Sequence, residues 1–211
     1  MDALELIKKS KLIAIARGIG ADDLIPASLA LYEGGVRAFE VTFEQDKPIE
    51  TTVNCISKLI GALPSDTAVG AGTVMDTEQV RAAYKAGASF IISPNTDKAV
   101  IEEAKELRLV SIPGAMTPTE ISAAYSFGAD IVKVFPAGIL GAEYFKAVRA
   151  PLSHIPMAAV AAVTTENIRA FADAGAAAFG ISSSLYIKDA IESKDMERIK
   201  NAAAEFYLAL E

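Results

Sequence analysis

The sequence predicts a (β/α)8 barrel, with residues 1–211 forming one domain. Three observations predict it. Eight short apolar runs recur along the chain, helix-patterned segments separate them, and a glycine–turn–strand pattern returns at about every second unit.

The elements follow in order. Residues Met1 to Lys9 read as a short amphipathic helix. Leu12–Arg17 is the first strand, and apolar residues at helical spacing make Asp22–Glu33 the helix that follows. Ala38–Phe43 and Ala68–Val74 are the second and third strands. Helix Thr77–Ala86 leads to strand Phe90–Pro94, helix Lys98–Leu107 to strand Val110–Met116, and helix Thr119–Phe127 to strand Ile131–Ala137. Met157–Val163, helix Thr165–Ala174 and Ala177–Ser183 complete the set. The runs are apolar throughout because a parallel strand in a barrel is buried on both faces.

Gly35, Gly87, Gly128 and Gly175 each end a helical segment and lead by a short turn into an apolar strand. They stand 52, 41 and 47 residues apart, the length of about two βα units, and mark the entries to the even-numbered strands. An open doubly wound sheet is the competing architecture. It lacks a dinucleotide fingerprint here, because Met75 occupies the place of the third glycine after Gly70-Ala71-Gly72.

Composition narrows the function. Hydrophobic residues make up 52% of the 211, enough for one well-buried core. The net charge is −7, with no Lys/Arg-rich run, so neither nucleic acid nor an anionic membrane is an expected partner. Cys55 is the only cysteine, which excludes an intrachain disulfide. His154 is the only histidine, which excludes a histidine-rich metal site; it precedes Ile155-Pro156 in a predicted loop. No signal peptide or membrane span is legible, so a cytoplasmic protein with no metal and no cofactor is expected.

Lys133 stands out against this background. It lies inside the apolar run Ile131-Val132-Lys133-Val134-Phe135-Pro136-Ala137. Burying an ammonium is costly, so such a lysine is either paired or has a lowered pKa. An amine that loses its proton easily is the nucleophile that forms a Schiff base with a ketone. Glu40 is the matching anomaly, set between Phe39 and Val41. By period-two alternation Lys133 shares a face with Ile131 and Phe135, and Glu40 with Ala38 and Thr42. If both faces point inward, a buried amine and a buried carboxylate converge, as an internal ion pair or as a nucleophile with its proton shuttle. Arg17 and Thr73, at the ends of the first and third strands, are the other polar groups at the barrel mouth.

Several motifs together resemble the class I 2-keto-3-deoxy-6-phosphogluconate aldolases, a group that includes the 4-hydroxy-2-oxoglutarate and phosphogalactonate aldolases. They are Gly34-Gly35-Val36-Arg37-Ala38-Phe39-Glu40-Val41-Thr42-Phe43, Gly70-Ala71-Gly72-Thr73-Val74, Ile92-Ser93-Pro94, Ile112 through Glu120, and Lys133-Val134-Phe135-Pro136-Ala137. The resemblance runs from about Ile13 to Leu185. It implies a homotrimer of barrels that reversibly cleaves a small 2-keto-3-deoxy sugar acid. It further implies that Lys133 attacks the C2 ketone and that Glu40 moves protons. The resemblance implies too that Thr73 helps hold the pyruvyl carboxylate and that Pro94 and Phe135 line the pyruvyl pocket, with plain packing as the alternative for both.

The sequence departs from the family pattern in two places. Glu44 stands where many relatives carry a carboxylate-binding arginine, and is expected to turn to solvent. At the phosphate end, Ala161, Ala162 and Ser182 replace glycines, and Val160 replaces a threonine. A phosphate nest survives at the alanines if their φ is negative; a positive φ strains each by roughly 1 kcal/mol. Arg17, Ser182, Ser183 and Ser184 remain as anion ligands, with the serines alternatively read as helix caps. A substrate of the phosphogluconate type, giving pyruvate and glyceraldehyde 3-phosphate, is therefore expected. The phosphogalactonate analogue and unphosphorylated 4-hydroxy-2-oxoglutarate stand as alternatives. A phosphosugar isomerase or epimerase, and a silent keto-acid-binding relative, are the readings from other classes.

Overall fold

The computed structural model describes residues 2–211. Met1, the first residue of the predicted amphipathic helix, lies outside them. Helix α1 (Ala3–Ser10) starts on a capping box, in which the Asp2 carboxylate accepts from the Glu5 N–H and the Glu5 carboxylate accepts from the Asp2 N–H.

The chain then alternates. Strand β1 (Leu12–Ala16) is followed by α2 (Ala21–Glu33), β2 (Ala38–Thr42), α3 (Ile49–Ala62), β3 (Ala68–Gly72), α4 (Thr77–Lys85), β4 (Phe90–Ile92) and α5 (Lys98–Glu106). Strands β5 (Val110–Ile112) and β6 (Gly114–Ala115) come next, then α6 (Pro118–Ser126), β7 (Val132–Val134), α7 (Ala137–Leu140) and α8 (Ala142–Arg149). The last elements are β8 (Met157–Val160), α9 (Ile168–Asp173), β9 (Ala178–Ile181), α10 (Lys188–Glu192) and α11 (Met196–Leu210).

All eight predicted strands are present, but the fifth is broken in two. Pro113 has no N–H to give the ladder and separates β5 from β6. The sheet runs β5-β4-β3-β2-β1-β9-β8-β7-β6, with every pair parallel. Its two ends are the halves of the split strand. β5 pairs with β4 on one side, and β6 pairs with β7 on the other. The Lys133 N–H donates to the Pro113 carbonyl at 2.9 Å, and the Asp130 N–H to Ser111 at 3.0 Å, which closes the barrel. The repeat glycines Gly35, Gly87, Gly128 and Gly175 all take positive φ, the conformation a helix-ending glycine supplies.

Alternation along each strand sorts side chains into two cores. Leu12, Ala14, Ala16, Phe39, Val41, Val132 and Val134 face outward under the helices. Ile13, Ile15, Ala38, Ala68, Phe90, Ile92, Ile112, Ile131, Ala158, Val160 and Ala178 fill the barrel interior. Ile7 of α1 belongs to the inner cluster, so α1 plugs the N-terminal end of the barrel. The opposite end is left for the polar groups. No described helix is long and apolar enough to cross a membrane.

Candidate active site

Glu40 and Lys133 sit on the inner face, two residues beyond Ala38 and Ile131 of the interior cluster. Both are buried, at 1% and 6% exposure. Burial lifts the Glu40 carboxyl above its ordinary range, against the opposing pull of Lys133 and Arg17. Burial likewise lowers the Lys133 amine; Glu40 opposes this, and Arg17 adds to it. The internal ion pair, one of the two readings of these residues, is not formed: among the described residues no carboxylate oxygen lies within 4.0 Å of the Lys133 amine. Glu40 Oε2 is buried with no hydrogen-bond partner. These two desolvated groups do not neutralise each other by direct contact.

β3 carries glycines where the Glu40 carboxylate and the Phe90 ring pack against it. A Cβ on Gly72 would lie 1.6 Å from Glu40 Oε1, and one on Gly70 would lie 2.3 Å from the Phe90 ring. On the other side the Lys133 Nζ stands 4.8 Å from the centroid of the Phe135 ring, which forms an apolar wall.

A cavity of about 490 Å3 opens from this pair toward the C-terminal ends of β8 and β9. Arg17, Glu40, Lys133, Phe135, Ala161, Ala162, Ser182, Ser183 and Ser184 line it. Nine of the eleven candidate site residues therefore meet in one space. Thr73 and Pro94 do not line it. Thr73 is tied to its rim by the Arg17 guanidinium, whose Nη2 donates to Thr73 Oγ1 at 3.3 Å. The Pro94 carbonyl packs against Gly114, where a Cβ would approach to 2.3 Å. Ile15, Val163 and Thr164 also line the cavity and were not singled out in the sequence.

Two open alternatives are decided and one expectation is refined. Ala161 and Ala162 both have positive φ, 74° and 53°, so the strained alternative holds and the glycine-like turn is kept without glycine. The turn is held from outside: the Gly138 N–H donates to the Ala161 carbonyl at 2.9 Å, and Asn167 Nδ2 to the Ala162 carbonyl at 2.9 Å. The serines are not helix caps. Ile187 is the N-cap of α10, and Ser182 Oγ instead donates to the Ile15 carbonyl at 3.0 Å, joining β9 to β1. Glu44 does not simply face solvent. It accepts from Lys47 Nζ at 2.9 Å, and its other oxygen would sit 3.9 Å from a Cβ on Gly18. His154 packs edge-on against Tyr125, away from the cavity lining.

The arrangement offers a depressed amine, a raised carboxyl, an apolar wall and a rim with one guanidinium and three serines. Comparison with known proteins agrees with it. The sequence profile of the KDPG and KHG aldolases (2-keto-3-deoxy-6-phosphogluconate and 4-hydroxy-2-oxoglutarate aldolases) matches residues 4–202. A probable 2-dehydro-3-deoxy-6-phosphogalactonate aldolase of Rhizobium meliloti is 37% identical over 176 residues, 83% of this chain and 81% of its own. The 2-dehydro-3-deoxy-6-phosphogalactonate aldolase of Escherichia coli is 35% identical over 202 residues, 95% of each chain. A solved native KDPGal structure superposes with a TM-score of 0.83 at 35% identity, covering 94% of this chain and 93% of that one. On fold, site and sequence together, the chain belongs to the KDPG and KHG aldolase family and is an aldolase, a lyase that breaks a carbon–carbon bond.

Proposed function

We propose that the chain is a class I aldolase in which Lys133 is the Schiff-base nucleophile and Glu40 the proton shuttle. The substrate is a 2-keto-3-deoxy-6-phospho sugar acid of the galactonate series, cleaved to pyruvate and glyceraldehyde 3-phosphate. One observation carries the reading: a buried amine with a lowered pKa faces a buried, unpartnered carboxyl across a cavity, without an ion pair between them.

The chemistry follows from that pair. The neutral Lys133 amine adds to the C2 carbonyl, and loss of water leaves a protonated imine. That imine accepts the electron pair of the C3–C4 bond. As the bond breaks, the C4 hydroxyl gives up its proton toward Glu40 and the aldehyde departs. Glu40 returns a proton to C3 of the enamine, and water releases pyruvate and restores the lysine. A carboxyl held above its ordinary range suits this role, because it takes up a proton more readily than an ordinary carboxylate does. No metal or cofactor is required by these steps.

At the carboxylate end, Thr73 binds the pyruvyl group, with Pro94 and Phe135 shaping its apolar surroundings. At the far end, Arg17, Ala161, Ala162, Ser182 and Ser183 receive the phosphate. Among the described residues the N–H groups of Ala162, Val163, Ser183 and Ser184 donate to no backbone carbonyl, so they are free to converge on an anion. The galactonate series is favoured by the names of the two relatives above, at 37% and 35% identity. Residues 1–211 act as one cytoplasmic domain, and the chain assembles as a homotrimer. Ile139 and Leu208, 80% and 71% exposed, are apolar side chains that a partner subunit can cover.

A second substrate, unphosphorylated 4-hydroxy-2-oxoglutarate, is favoured by the two alanines at positive φ, whose Cβ groups stand where glycines would leave room. Cleavage rates for the phosphogalactonate, phosphogluconate and hydroxyoxoglutarate substrates, each by coupled assay of pyruvate, separate these. The proposal expects the highest kcat/KM for the phosphogalactonate compound. A preference for the unphosphorylated acid overturns the phosphate assignment.

A further inference from the structure

Thr73 has a φ of +54°, a conformation that β-branched residues avoid. Something outside the residue must hold it. Two glutamines do so. Gln45 Nε2 donates to the Thr73 carbonyl at 2.8 Å, and Gln79 Nε2 donates to Gln45 Oε1 at 2.9 Å. Gln79 Oε1 then accepts from the Met75 N–H at 2.8 Å. The two amides bridge the turn from the carbonyl of residue 73 to the N–H of residue 75. Backbone polarity at both ends fixes which way each amide points, so the relay reads in one direction only. Gln79 is 6% exposed and is anchored by its own N–H on the Asp76 carboxylate at 2.8 Å. Gln45 belongs to the loop after β2, the strand that carries Glu40. The same turn carries Thr73 Oγ1, the acceptor from Arg17.

We propose that Gln45 and Gln79 are positioning residues for keto-acid binding: their amide relay holds Thr73 in its left-handed conformation so that its hydroxyl meets the carboxylate of the substrate. This rests on the reading of Thr73 as a carboxylate ligand. The relay joins the strand of the proton shuttle to the exit of β3, so the two sides of the pyruvyl site are set by one hydrogen-bonded unit. A carboxylate cannot replace either amide, because each must donate and accept at once.

The test uses the full-length protein, with pyruvate as the probe and borohydride trapping as the readout. Gln45 is exposed and can be changed without touching the core. In Gln45→Met the pyruvate concentration for half-maximal trapping rises by about tenfold, while the maximal trapping rate stays within about twofold and the melting temperature is unchanged. Gln45→Glu shows the same defect. Thr73→Val raises the half-saturating concentration too, and adding Gln45→Met to it produces little further rise. If Gln45→Met matches wild type while Thr73→Val is impaired, the relay is ornamental and the inference falls, with the reading of Thr73 intact. A Gln45→Met protein that loses melting temperature and maximal rate, with no shift in half-saturation, shows a merely structural role and overturns it as well. If Thr73→Val itself binds pyruvate normally, the reading of Thr73 falls and the inference with it.

Discussion

Glu40 and Gly72 face each other inside the barrel, and a single Cβ on Gly72 would lie 1.6 Å from the Glu40 carboxylate. The glycine is there for space, since its φ is not among the positive ones. Gly72→Ala must push the carboxylate away from Lys133 or open β2 from β3. We expect kcat/KM to fall by about a hundredfold or more, and stability to fall by about 1–3 kcal/mol. Steady-state kinetics with a urea melt checks both.

The two buried groups also set opposite pH dependences of stability. Glu40 has a raised folded pKa, so its contribution is intact below the unfolded value of 4.5 and is lost as pH rises through the folded pKa. Glu40→Gln removes that loss, and its melting temperature should exceed wild type increasingly as pH rises above 4.5. Lys133 has a lowered folded pKa, so wild type loses stability as pH falls from the unfolded value of 10.5 toward the folded one. Lys133→Met should be the more stable protein at pH 7, with the gap closing above 10.5. Melting curves across pH test the signs.

The alanines of the turn after β8 carry strain that glycine would relieve. Ala161→Gly and Ala162→Gly should each raise stability by up to about 1 kcal/mol, less the entropy that glycine gives the unfolded chain. Gly138→Ala should act the other way, because its Cβ would meet the Ala162 carbonyl oxygen at 2.1 Å. Calorimetry of the three variants decides it, and a stability loss in both glycine variants would contradict the strain.

Much of this was legible in the residues, for physical reasons. The eight strands are buried on both faces and so read as apolar runs, and against such runs Lys133 and Glu40 stand out. Alternation then placed both on the inner face, where they are found. The absence of a direct Glu40–Lys133 ion pair was not legible, because it turns on an ångström-scale separation between strands. Nor was the φ of Ala161 and Ala162, since alanine gives no sign of a left-handed turn. Gln45 and Gln79 escaped notice because their partners lie 28 and 34 residues away, and no periodic pattern reports such a contact. Val110–Met116 reads as one strand in the sequence and the split at Pro113 was missed, although a proline inside a strand-like run is the signal for such a break.

The central claim is that Lys133 forms a covalent imine with a keto acid. Incubation with pyruvate and borohydride, followed by peptide mass spectrometry, tests it most directly. A reduced pyruvyl adduct on Lys133 is expected, formed faster as pH rises through the lowered pKa of the amine, and absent in Lys133→Ala with its fold retained. Folded protein that gives no adduct, or an adduct on another lysine, contradicts it.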